Sequence, residues 1–194
     1  PLYLQKAHGN RITDVDGNEY VDFALGDTAA MAGHSPVPTT NAVQKRIAEQ
    51  GGITTMMPTA DAEWVANELT RRFGLPLWSF TLTATDANRW ALRIARQVSG
   101  KSKVLAFSYS YHGAVDETLV RTGPNGTAIL REGNVGPAVD IAQTTRVAEF
   151  NDLESVEAAL AHGDVAVVIT EPALTNIGIV LPQPGFLTGL RELC

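Results

Sequence analysis

Two short apolar segments, Lys103–Phe107 and Asp164–Thr170, constrain the fold of this 194-residue chain more than any other feature. Each has the length and composition of a buried β-strand. A helical apolar pattern over Thr85–Val98 precedes the first segment, and another over Asp152–Ala161 lies between the two. Strands that alternate with helices predict an α/β fold with a mostly parallel central sheet flanked by helices.

The residues before this region predict a smaller N-terminal part. Ile12–Phe23 has the pattern of a β-hairpin that turns at Asp16-Gly17-Asn18. We expect an N-terminal hairpin and helix segment over residues 1–50, and the first part of a larger domain over residues 51–194. The other predicted elements are helices over Thr40–Gln50, Ala60–Phe73 and from Gly185 onward, a strand over Ser79–Thr83, and a Gly-rich loop over Thr122–Thr145.

Composition excludes several classes of function. The 15 basic and 21 acidic residues give a net charge of −6, so no broad positive field favours a nucleic-acid partner. The longest aliphatic run, Val165–Ile169, is too short to span a bilayer, and we expect no membrane partner. The single cysteine, Cys194, fits a reducing compartment, and we expect a cytoplasmic protein. No metal site is expected, because metal-ligand spacing is absent among His8, His34, His112 and His162.

Chemistry-bearing residues follow the predicted strands. Thr83-Ala84-Thr85-Asp86-Ala87-Asn88 begins a predicted helix, whose free N–H groups and positive dipole end suit a phosphate. On spacing alone, the simpler alternative is favoured: Thr85 is only an N-cap and Asp86 an acid placed at the positive end of the helix.

Two further strand ends carry candidates. Ser108-Tyr109-Ser110-Tyr111-His112-Gly113 offers an aromatic ring for stacking and a histidine beside it, or else forms a surface loop with half-buried tyrosines. Glu171-Pro172 places a carboxylate after a buried strand, where it orients a ligand or anchors the turn at Pro172. Asn176, taken by itself, is a turn residue.

In this order, these segments resemble the class III aminotransferases of fold type I, which depend on pyridoxal 5′-phosphate (PLP). Tyr111-His112-Gly113 matches the family's Tyr-His-Gly without change, and residues 83–88 stand for its Ser-Gly-Thr-Glu-Ala-Asn. The match spans nearly the whole chain and is closest to the glutamate-1-semialdehyde aminomutase branch. Its other segments are Asp14–Phe23, Gly33-His34-Ser35-Pro36, and Glu171-Pro172 through Pro184-Gly185-Phe186-Leu187 to Leu190-Arg191.

The resemblance implies the fold of these PLP enzymes and a set of cofactor-binding residues. Thr83, Ala84 and Thr85 would bind the PLP phosphate through N–H groups and hydroxyls. Tyr111 would stack on the pyridine ring, and His112 would support that loop. The remaining two implied residues are Glu171, beneath the ring, and Asn176, at the ring's phenolic oxygen.

The sequence also departs from the family pattern. Ala84 replaces a glycine and Asp86 a glutamate, but the N–H of residue 84 is kept. Asp27 stands where aminomutases carry an aromatic residue on the substrate side, and its carboxylate would repel an acidic substrate. No lysine matches the family's Schiff-base motif, so we expect this chain to be the N-terminal part of the enzyme and to contain no catalytic residue of its own.

The implied function is transfer of an amino group between an amino acid or amine and a keto acid or aldehyde. A homodimer is implied as well, with the loop Gly52–Pro58 as a candidate contributor to the partner's site or a plain connector. Two alternatives stay open. One is glutamate-1-semialdehyde 2,1-aminomutase, and the other is a non-catalytic fragment that binds a ligand or partner.

Overall fold

The computed structural model describes residues 1–26, 29–52 and 57–194. Their contacts separate into two compact units, residues 1–76 and 77–194. The domain boundary that the sequence predicts between residues 50 and 51 stays a prediction. No helix within the described ranges is long and apolar enough to cross a membrane.

The first unit contains an antiparallel sheet of β1 (Leu4–His8), β2 (Arg11–Asp14) and β3 (Glu19–Val21), in that order. The β2–β3 pair confirms the predicted hairpin, and β1 is an additional strand. The buried Asp14 carboxylate organises the turn. It accepts hydrogen bonds from Asp16 N and Asn18 N at 3.0 and 2.9 Å, and from Asn18 Nδ2 and the Tyr20 hydroxyl at 3.0 and 2.8 Å.

Two helices complete this unit: α1 (Val37–Gln50) and α2 (Ala60–Phe73). Both were predicted, and α1 begins a turn earlier than expected because the Pro36-Val37-Pro38 segment suits a helix start. For α2 the predicted bounds are correct. The Thr59 hydroxyl accepts from Ala62 N at 3.2 Å at its start, and Gly74, with φ of 71°, ends it in the left-handed region.

The Gly33–Pro36 turn is tied to the sheet. Gly9 and His34 exchange two backbone hydrogen bonds of 2.8 Å each. A Cβ on Gly33 would lie 3.1 Å from the Gly9 carbonyl oxygen, and φ is +83° there, so both the contact and the backbone require glycine. The His34 ring also lies 2.8 Å from the Asp22 carboxylate.

The second unit contains α3 (Ala84–Ser99), β4 (Lys103–Phe107), β5 (Val120–Thr122), β6 (Ala128–Leu130), β7 (Thr145–Ala148), α4 (Leu153–Leu160), β8 (Val165–Val168) and α5 (Phe186–Leu193). Its parallel sheet has the strand order β7-β4-β8. Side chains alternate along β4: Leu105 and Phe107 pack on one face with α4 and α5, and Val104 and Ala106 face the opposite side with α3 and the β5–β6 hairpin.

This arrangement confirms the predicted α/β class, but two details were wrong. Ser79–Thr83 is not a strand, because it pairs with no strand among the described residues and Leu82 is fully exposed. Residues 122–145 contain the β5–β6 hairpin as well as loops. The predicted helix over Thr85–Val98 is confirmed as α3, in which Leu92 is buried and Trp90, Ile94 and Val98 are exposed.

The Asp14 cluster makes a prediction about acid stability. The hydrogen bonds from Asn18 and Tyr20 hold the pKa of Asp14 below its ordinary value of 3.8. The stabilisation is therefore present above about pH 4 and is lost as the pH falls through the folded-state pKa. We expect Asp14→Asn to reduce this acid-sensitive part of the stability. The measurement is hydrogen exchange in β2 and β3 as a function of pH. The exposed Asp16→Asn is the control and should keep the wild-type profile.

Candidate functional site

The N-terminus of α3 lies at the centre of the candidate site. Thr83 is its N-cap: its hydroxyl accepts from Asp86 N at 3.1 Å and donates to Asp86 Oδ2 at 2.8 Å. The cap is thus Thr83 and not Thr85, and the Thr83 hydroxyl proton is already engaged. The N–H groups of Ala84 and Thr85 make no hydrogen bond to any residue that the structure describes. Two adjacent amide donors therefore remain at the positive end of a 16-residue helix.

The loop that follows β4 sits directly on this helix end. Thr85 Oγ1 accepts a hydrogen bond from Ala114 N at 3.1 Å, which leaves the Thr85 hydroxyl proton available to a further acceptor. Asn88 Nδ2 donates to the His112 carbonyl at 2.8 Å, and Arg89 donates to the Ala114 carbonyl at 2.9 Å. Three side chains of one helix therefore fix the backbone of residues 112–114.

Gly113 allows this close approach. Its φ is +84°, and a Cβ built on it would lie 2.2 Å from Thr85 Oγ1 and 3.1 Å from Thr85 Cα. Contacts under 3.0 Å do not occur for real Cβ atoms, so any larger residue would force the loop away from the helix. The match of Tyr111-His112-Gly113 to the family motif thus has a steric basis at its third residue.

The two other residues of that motif differ in exposure. Tyr111 is half exposed, so part of its side chain is accessible to a ligand. His112 is buried, and its Nε2 has no hydrogen-bond partner among the described residues. Burial lowers the pKa of His112 from 6.5 to about 4, so the imidazole is neutral at pH 7. A neutral, buried ring is consistent with a supporting role behind the loop.

Glu171 and Asn176 lie in the loop after β8. The Glu171 carboxylate accepts from the Thr175 N–H at 3.3 Å and the Thr175 hydroxyl at 3.2 Å, so it stabilises its own turn. When the Asn176 amide presents its oxygen to Arg131, that oxygen lies 3.3 Å from Nη1 and 2.6 Å from Nη2. Arg131 Nη1 also donates to the Ser110 carbonyl at 3.1 Å, next to Tyr111.

The structure thus brings most of the predicted residues into one hydrogen-bonded region. Ala84, Thr85, Tyr111 and His112 meet at the α3 N-terminus, and Arg131 connects Asn176 to the same loop. Sequence reasoning missed Arg131, because a single arginine in a Gly-rich stretch has no motif. Asp27 and most of the Gly52–Pro58 loop lie outside the described residues.

These residues fit the cofactor that the family resemblance implies. A phosphate group needs several donors at a positive helix end, and two open amides and one hydroxyl proton occur there. A pyridine ring needs an aromatic ring to stack on, and Tyr111 is half exposed. Metal ligation has no comparable support, because no group of three His, Cys, Asp or Glu side chains within the described ranges could hold an ion.

Gly113 provides a steric prediction with a matched control. We expect Gly113→Ala to lower the free energy of unfolding by about 2–4 kcal/mol, as the sum of left-handed backbone strain and overpacking against Thr85. Gly133 has nearly the same φ, +85°, but open space around its Cβ position. Gly133→Ala should therefore cost only the strain, about 1–2 kcal/mol. Equal losses in chemical denaturation would contradict the proposed contact.

His112 predicts an additional loss of stability in mild acid. The folded state binds this proton only below about pH 4, whereas an unfolded histidine binds it near pH 6.5. Stability is therefore lost as the pH falls from about 6.5 to 4, by roughly 3 kcal/mol in total. His112→Gln should not show this part of the pH dependence in denaturant titrations. The exposed His162→Gln is the control, and an unchanged profile in both variants would refute the prediction.

Comparison with known proteins supports the same family. A glutamate-1-semialdehyde 2,1-aminomutase 2 from Lysinibacillus sphaericus is 35% identical over 196 residues, and a glutamate-1-semialdehyde 2,1-aminomutase from Saccharolobus islandicus is 36% identical over 198. These alignments cover 100% of this chain and 45% of each relative, so the chain spans less than half of their length.

Solved structures support membership of the same family. A glutamate-1-semialdehyde aminomutase from Pseudomonas aeruginosa matches with a TM-score of 0.92 and 52% identity, over 100% of this chain and 42% of that one. An omega-transaminase from Sphaerobacter thermophilus matches with a TM-score of 0.90 and 29% identity, over 100% and 46%. The family model for class-III aminotransferases matches residues 1–194. The chain belongs to the class-III aminotransferase family, whose solved members share its α/β fold.

Proposed function

We propose that this chain supplies the phosphate and ring contacts for PLP in an enzyme that transfers amino groups between an amino acid or amine and a keto acid or aldehyde. The observation that carries the proposal is the open N-terminus of α3, where the amides of Ala84 and Thr85 lie beside the loop fixed by Gly113. A variant of the similar Pseudomonas enzyme, with 52% identity to this chain, was crystallised in complex with PMP (pyridoxamine phosphate).

Each residue has a separate task in this proposal. The Ala84 and Thr85 amides and the Thr85 hydroxyl hold the phosphate dianion, helped by the helix dipole. Tyr111 covers one face of the ring, and the Asn176 amide donates a hydrogen bond at the ring oxygen. His112, buried and neutral, keeps the Tyr111 loop in place. Glu171 accepts a hydrogen bond from the Thr175 N–H and so stabilises the turn that precedes Asn176.

The cofactor supplies an electron sink that stabilises charge at the carbon next to the amino group. The contribution of this chain is to orient the cofactor and not to move the proton. A Schiff-base lysine from elsewhere in the complete gene product is part of the proposal, as are a homodimer and a cytoplasmic location.

A proline substitution tests the phosphate contact with little change in structure. Ala84 is the first residue of α3 and follows the extended Thr83 (φ −137°, ψ 157°), a position where proline is tolerated. Ala84→Pro removes one N–H donor only. In the complete gene product we expect at least tenfold weaker binding of pyridoxamine phosphate by calorimetry, because a hydrogen bond to a charged group is lost.

A matched control exists in α2. Ala60 is also a first helical residue after an extended threonine, Thr59 (φ −116°, ψ 159°). Ala60→Pro should leave the affinity for pyridoxamine phosphate unchanged. Unchanged affinity in Ala84→Pro, or an equal loss in both variants, would contradict a phosphate site at the α3 N-terminus.

A second candidate is glutamate-1-semialdehyde 2,1-aminomutase, favoured by the 52% identity to the Pseudomonas enzyme. The two reactions differ in whether a separate amino acceptor is consumed. Turnover of glutamate-1-semialdehyde without any keto acid would establish the aminomutase. A strict requirement for a keto acid or aldehyde acceptor would establish the aminotransferase, and would agree with a repulsive carboxylate at Asp27.

A further inference from the structure

Arg131 connects the two segments that carry the proposed ring contacts. It directly follows β6, and its Nη1 donates to the Ser110 carbonyl at 3.1 Å, one residue before Tyr111. The same guanidinium lies 3.3 and 2.6 Å, through Nη1 and Nη2, from the Asn176 amide oxygen when the amide is turned so that its oxygen accepts. One side chain therefore bonds both the loop after β4 and the loop after β8.

The chemistry of arginine decides how the Asn176 amide is oriented. A guanidinium carries N–H donors and no acceptor, so only the oxygen of Asn176 can face it. The amide nitrogen must then point away from Arg131. An asparagine with no such partner can present either atom, because the two ends of the amide are nearly equal in size. Arg131 thus makes Asn176 a hydrogen-bond donor toward the group on its other side.

The backbone of Arg131 is fixed by hydrogen bonds that do not involve Ser110 or Asn176. Its backbone N–H donates to the Leu119 carbonyl at 3.2 Å, and its carbonyl accepts from Asn134 N at 3.2 Å. Asn134 Nδ2 donates to the same Leu119 carbonyl at 3.1 Å. The β5–β6 hairpin therefore places the arginine before any ligand binds, which is the arrangement expected of a preorganised support.

We propose that Arg131 is a positioning residue for cofactor binding. It fixes Asn176 with its N–H groups toward the ring oxygen and holds the Tyr111 loop by the Ser110 carbonyl. This inference rests on the proposed PLP site. It adds to that site a residue that acts through Asn176 and Ser110, without touching the cofactor.

The test uses the complete gene product, free of cofactor for the binding measurement and loaded with PLP for the absorption measurement, with the variants Arg131→Met, Asn176→Ala and the double variant. The readouts are the affinity for pyridoxamine phosphate and the pH midpoint of the visible absorption of bound PLP. A donor at the ring oxygen stabilises its anionic form, so its loss raises the midpoint. We expect Arg131→Met to raise the midpoint by about one pH unit and to weaken the affinity roughly tenfold.

Two comparisons separate positioning from a general loss of structure. The double variant should have the same absorption midpoint as Asn176→Ala alone, because both changes remove the same hydrogen bond at the ring oxygen. Arg121, on β5 of the same hairpin, pairs with Glu132 at 3.1 Å instead. Arg121→Met should leave the absorption midpoint unchanged even where it lowers the melting temperature.

A further variant keeps the test decisive where Arg131→Met fails to fold. Asn176→Asp retains an oxygen partner for Arg131 but has no N–H donor, so it should raise the midpoint at least as much as Asn176→Ala. Bound PLP with a wild-type midpoint in Arg131→Met would overturn this inference alone. A wild-type midpoint in Asn176→Asp would overturn the proposed contact of Asn176 with the ring oxygen, and this inference with it. A complete gene product that takes up no PLP would overturn the proposed function and this inference together.

Discussion

The candidate site depends on the contact between residues 112–114 and the N-terminus of α3. Thr85 Oγ1 accepts a hydrogen bond from the Ala114 N–H at 3.1 Å. Gly113 permits this close approach because it has no Cβ. The fold brings the two segments together, because Leu92 of α3 packs with Val104 of β4 and with Val115 just beyond the loop, and Asn88 bonds the His112 carbonyl. Without this contact, the open amides of Ala84 and Thr85 and the ring of Tyr111 would have no fixed relation.

Polar contacts at its N-terminal end contribute to the placement of α3. Asn88 and Arg89, near its start, bond loop carbonyls, and Leu92 packs with Val104 and Val115. Trp90 and Ile94, on the apolar side of the helix, are more than half exposed. Periodicity reports which face is apolar, but it cannot report that hydrogen bonds at one end orient the helix.

Much of the architecture could be predicted from the sequence because its determinants are local. The cap and stop of α2, Thr59 and Gly74, and the apolar run of β4 each lie within a few residues of the element that they define. Ser79–Thr83 was misread because a strand needs a partner strand, which local pattern does not reveal. Arg131 was missed for a similar reason: its two partners lie 21 and 45 positions away in the chain.

The central claim is that the phosphate of the cofactor binds at the N-terminus of α3. A crystal structure of the complete gene product with pyridoxamine phosphate tests it most directly. We predict phosphate oxygens within hydrogen-bond distance of the Ala84 and Thr85 amides, with the Tyr111 ring against the pyridine. A phosphate bound elsewhere, with these two amides still open, would contradict it.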